Sequence, residues 1–263
     1  MNESNASSPF GAGPVPPLIP SAGAGNQPGG DPEEQLPLRG ILAVAEAILR
    51  QPRRVIHQLR QQHQGALIAA LLVIALGCSL IYGAVVGTFS GGTQLWAAPV
   101  KIAIGVLVSA LICLPSLYIF SCLSGSRARL LEVFGLVSGL LALMTVLLIG
   151  FAPVAWVFSQ STKSVYAMGC LHLAFWAVAT FFGLRFLFAG FSGISGRPDS
   201  GLKVWVVVFL LVALQMTTAL RPIIGTADTF LPAANEKKFF ISHWMDCLNG
   251  NEGQAVSSYN RGR

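Results

Sequence analysis

Charge is what this 263-residue chain has least of. Eleven acidic and seventeen basic side chains make up 11% of it, against 53% hydrophobic residues and a mean hydropathy of +0.64. A soluble domain carries roughly 25% charged residues, so a soluble fold is excluded at the outset. The few charges are also segregated. Between Gln64 and Ser126 only Lys101 is charged, and from Leu130 to Gly196 only Glu132, Lys163 and Arg185 are.

The motifs of catalysis and metal binding are missing as well. There is no H-E-x-x-H, no G-x-S-x-G, no C-x-x-C and no carboxylate pair inside an apolar run. Ser109 and Ser138 offer no context that would activate a serine beside His172. The reading is therefore non-enzymatic, with no cofactor, no catalytic residue and no metal site. The formal charge of +6 comes from scattered arginines without interleaved aromatics, which excludes a nucleic-acid surface. Cys78, Cys113, Cys122 and Cys170 sit in or at the ends of apolar runs and read as small hydrophobes, with Cys247 alone in the tail.

What is present is a set of five apolar runs: Ala66–Phe89, Leu95–Leu123, Leu130–Phe158, Val165–Ala189 and Leu202–Gly225. Each is long enough to cross about 30 Å of hydrocarbon as a helix. The fold class expected is all-α, a polytopic transmembrane bundle of five spans preceded by an amphipathic interfacial helix. Four regions follow. Residues 1–37, rich in Pro, Gly, Ala and Asn, read as a disordered tail. Residues 38–63 are a basic amphipathic segment, 64–225 the membrane domain, and 226–263 an opposite-side tail. In that tail Phe240, Trp244 and Leu248 share one helical face.

In the 38–63 segment Ile41, Leu42, Ala45, Ile48 and Leu49 recur at helical spacing, and Pro52 interrupts them. Val55, Ile56 and Leu59 repeat the pattern beyond the break. Arg50, Arg53, Arg54 and Arg60 give this segment a basic face suited to anionic lipid at the cytoplasmic surface. Docking on a protein partner is the other reading of the same face.

Lys and Arg in the flanks set the orientation. The four arginines above, then Arg127 and Arg129, then Arg197 and Lys203 mark one side, while the opposite loops hold Lys163. The amino terminus is expected inside and the carboxyl terminus on the other side. With no cleavable signal expected, the first span serves as the insertion signal. Gly83/Gly87 and Gly135/Gly139 are small-xxx-small pairs that favour close helix packing, within one chain or in an oligomer.

Ionisable and amide side chains within the spans are the candidate sites. Glu132 and Arg185 are expected at similar depth and could pair. Lys101, His172, Gln215 and Arg221 gather toward the opposite side. They could line a cavity for an anionic head group or small solute. The plainer alternative has Lys101 and Arg221 snorkelling to phosphates while His172 and Gln215 bond between helices.

Several short stretches resemble the Yip1-like membrane protein family, toward its bacterial branch. They are Leu-Trp-Ala-Ala-Pro-Val-Lys (95–101), Cys-Leu-Pro-Ser-Leu-Tyr-Ile-Phe (113–120) with Ser-Gly-Ser-Arg (124–127), Gly-Leu-Arg-Phe (183–186) and Leu-Arg-Pro-Ile-Ile-Gly (220–225). The resemblance implies a non-enzymatic five-span bundle with a cytoplasmic interaction surface, a scaffold or organiser of membranes. The alternative class is a small transporter or channel component working through the Lys101/His172 side.

Overall fold

A computed structural model of the chain describes residues 35–38, 40–61, 64–90, 94–123, 128–161, 165–195 and 200–219. Every element among them is a helix. Two short ones, α1 (Ile41–Arg50) and α2 (Pro52–Leu59), precede α3 (Gly65–Ser90), α4 (Gln94–Leu123), α5 (Leu130–Ser161), α6 (Val165–Ser195) and α7 (Ser200–Ala219). Helices are what an apolar chain must form in lipid, since only they satisfy every backbone group within one segment.

Four helices, α3 to α6, are long and apolar enough to cross a membrane, which makes the chain a multi-pass membrane protein of the helical-bundle class. The fifth expected span differs. The described part of α7 is 20 residues long, and its apolar stretch, Gly201–Met216, is shorter than the other four. Residues 220–225 of that expected run, Arg221 among them, lie outside the described residues, as do the tail from 226 and the stretch 1–34.

Packing follows the small residues. Helix α3 lies against both α4 and α5, α5 against α6, and α7 against α4. Gly83 meets the backbone of Pro99, so α3 and α4 touch main chain to main chain there. A Cβ on Gly139 would stand 2.6 Å from the Phe186 ring, and one on Gly183 would stand 2.7 Å from Met144 Cγ. Gly190 seats Leu136. These contacts fix α5 and α6 antiparallel, and they assign both glycines of the 135/139 pair to packing within the chain. Helix α5 is the centre of the bundle. Leu136, Leu140, Leu141, Met144 and Leu148 along it are buried with Leu71 of α3 and Leu187 of α6.

Prolines shape two of the spans. Pro99 and Pro115 lie inside α4 and Pro153 inside α5. Each withholds an N–H from the carbonyl four residues before it. Near the second, the Cys113 carbonyl accepts Ser116 Oγ at 2.8 Å and Trp205 Nε1 of α7 at 2.9 Å. Trp205 is fully buried and stacks on Phe209, so the indole pins α7 to α4 beside the proline.

The segment before the spans is helical in two pieces, as its spacing predicts. Gln51, at φ −131° and ψ 59°, ends α1, and Pro52 opens α2 at the first helical position, where its missing N–H is harmless. Val44, Ala47 and Ile48 of α1 and Val55, Ile56 and Leu59 of α2 are buried in the same core as the spans. The two helices form a collar. It sits at the end of the bundle where α3 and α5 begin: Leu59 and Ile68 both press on Gly135, with Leu59 Cδ2 2.8 Å from where its Cβ would be.

Candidate functional site

Among the described residues, ionisable side chains gather toward both ends of the bundle. At the end away from the collar, about two turns from the helix termini, Tyr82 (α3), Lys101 (α4), Pro153 (α5) and His172 (α6) occupy one layer. Tyr82 Oη and His172 Nδ1 share a 2.6 Å hydrogen bond with the rings edge to face. Phe175 lies edge-on to the imidazole and stacks on Phe151 at 4.7 Å between centroids. With Tyr82 donating, the imidazole proton stands on Nε2, which is buried and has no hydrogen-bond partner among the described residues.

The sequence did not single out Tyr82. The only available signal was its place beside Gly83, one of the small residues that favour close packing. His172 therefore makes an interhelical bond, but its partner is neither Lys101 nor Gln215. Lys101 is wholly buried, so it does not snorkel to the surface. Gln215 is half-buried near the end of the described part of α7.

The expected Glu132–Arg185 pair is not formed, and register explains why. The contacts of Gly139 with Phe186 and of Gly190 with Leu136 place Glu132 opposite the last turn of α6, about 13 Å from the level of Arg185. Arg185 is exposed, off the face that carries Gly183, Phe186 and Gly190. Glu132 instead works locally. Its Oε2 accepts the Arg129 backbone N–H at 3.2 Å, the reach-back half of a capping box at the third helical position. A carboxylate there also complements the positive end of the helix dipole.

At the collar end the four arginines divide into separate roles. Arg50 is exposed and pairs with Glu46 one turn back at 2.9 Å. Arg54 turns inward along its own segment, donating from Nε to the Leu36 carbonyl at 3.0 Å and from Nη1 to Gln51 Oε1 at 3.1 Å. Gln58 Nε2 donates to the same Leu36 carbonyl, and Gln58 Oε1 accepts the Leu38 N–H at 3.2 Å. Arg54 and Gln58 thus strap residues 36–38 across α2. Arg53 and Arg60 are exposed. Gly40, at φ +92°, makes the turn from strap to α1, a conformation that other residues rarely adopt.

Among the described residues no group of three or more His, Cys, Asp or Glu side chains could hold a metal ion. No protein-family model matches the chain, and no curated protein or solved structure matches it either.

Proposed function

We propose that this chain is a non-enzymatic membrane scaffold that presents its amino-terminal segment to a protein partner at the cytoplasmic face. The observation that carries the reading is the strapped collar. It is a helix pair whose apolar face is locked into the bundle, with residues 36–38 tied back over it. The basic flank of the collar supports the inside placement of the amino terminus, and five spans then put the carboxyl terminus on the opposite side. The resemblance of short stretches to Yip1-like proteins favours the same assignment.

Co-purification in mild detergent tests the proposal. The full chain should retain a partner that is lost when residues 1–34 are deleted or when Arg53 and Arg60 are both changed to Gln. Retention of the same set of proteins by all three forms would remove the reading. Orientation has a separate test: an impermeant thiol reagent should reach Cys247 in intact cells.

A small transporter is the second reading, favoured by one observation. The Tyr82–His172 hydrogen bond lies at the level of Pro99 and Pro153, prolines inside the continuous helices α4 and α5. Ionisable side chains inside spans are candidates for a substrate or proton pathway, and prolines beside them free backbone carbonyls that could join it. Substrate-dependent flux by the purified protein in vesicles, abolished by His172→Phe, would establish it in place of the scaffold.

A further inference from the structure

Helix α1 has more apolar surface than the bundle uses. At about 100° per residue its side chains fall into three arcs. Ala47, Val44 and Ile48 form the first and are buried against the spans. Ile41, Leu49 and Leu42 form the second, adjacent to it, and are 51%, 47% and 86% exposed. Glu46 and Arg50 form the third and carry the exposed ion pair. A helix that faces only protein and water has two arcs. One with a buried apolar arc, an exposed apolar arc and a charged arc in sequence around it lies in the corner where protein, lipid and water meet.

Its surroundings fit that corner. The collar sits where α3 and α5 begin, and exposed apolar side chains continue around the same end: Leu130 and Leu131 at the start of α5, and Leu123 at the end of α4. Charge selects the lipid. Glu46, the one acid among the described residues of α1 and α2, pairs with Arg50, and Arg60 after α2 and Arg129 before α5 are exposed.

We infer that the Ile41/Leu42/Leu49 face of α1 is a lipid-docking surface that inserts into the leaflet at the collar end and recruits anionic phospholipid through the neighbouring arginines. The proposed function enters only in calling that leaflet cytoplasmic. In vesicles with the same lipids in both leaflets the contact forms whichever way the protein faces, so a failure of the scaffold or orientation reading would leave this inference standing.

Photocrosslinking of the full chain tests it. Benzoylphenylalanine is placed at position 42, 49 or 50, and the protein is reconstituted into phosphatidylcholine vesicles with or without phosphatidylglycerol. Intact-mass analysis after irradiation should show phospholipid adducts at 42 and 49 several-fold above those at 50, with phosphatidylglycerol over-represented. Arg60→Gln should lower that over-representation roughly fivefold, the effect of one arginine near an anionic surface. Cross-links from 42 and 49 to residues 1–34, to a second copy or to another protein would overturn the proposal. So would an absence of lipid adducts at both positions. Lipid adducts indifferent to head-group charge would overturn the anionic preference.

Discussion

Tyr82 and His172 stand 90 positions apart in sequence and 2.6 Å apart in the bundle, joining α3 to α6 although each packs mainly on α5. Hydrogen bonds between spans in bacteriorhodopsin average about 0.6 kcal/mol and reach about 1.7. A double-mutant cycle with Tyr82→Phe, His172→Phe and the pair should yield a coupling inside that range, read from unfolding in mixed micelles. A coupling near zero would mean that the two rings merely adjoin.

The glycines separate into two kinds, and alanine should tell them apart. At Gly83 the added methyl meets Pro99 backbone, which cannot rotate away, so Gly83→Ala should destabilise by on the order of 1–3 kcal/mol. At Gly77, on the same helix, nothing lies within 4 Å of the new carbon. Gly77→Ala should be neutral or stabilise slightly through helix propensity alone. Melting temperatures of the two purified variants give the comparison directly.

Trp205→Phe keeps a ring against Phe209 but removes the donor to the Cys113 carbonyl. The expected loss is about 1 kcal/mol. It should appear locally, as faster amide exchange along α7 with the α3–α5–α6 contacts unaffected. Uniform loss of protection across all the spans would contradict a pin that acts only between α4 and α7.

Gln58→Ala removes two of the bonds that hold residues 36–38. At about 1 kcal/mol each, exchange protection at Leu38 should fall by at least tenfold, while α2 stays helical. Limited proteolysis near Leu36 should accelerate in parallel. Unchanged cleavage would show that the strap is fixed by something other than α2.

How much of this was legible follows from what each pattern encodes. The runs Leu130–Phe158 and Val165–Ala189 begin where α5 and α6 begin, because length and apolarity suffice to specify a span. Pro52 and the helical spacing around it likewise specified α1 and α2. Facing is a different matter. A helix apolar on every side carries no stripe to say which residues turn inward, so Tyr82 and Trp205 gave no sign of their partners. Depth counted from run ends also failed for Glu132 and Arg185. The register between α5 and α6 is set by where Gly139 and Gly190 admit Phe186 and Leu136. Nor does composition record that Arg54, one of the four basic positions, bonds to the Leu36 carbonyl and Gln51 Oε1.

The collar also imposes an order on biogenesis. Its apolar side is the first part of the described chain to leave the ribosome, yet the surfaces that receive it belong to α3, α5 and α6. At bacterial to eukaryotic translation rates, roughly ten seconds separate the synthesis of Leu59 from that of the end of α6. For that interval Val44, Ile48, Val55, Ile56 and Leu59 have only part of their native surface, that of α3 and then α5, to bury against. The collar's seat is therefore complete only once α6 has been made, long after the helices that fill it.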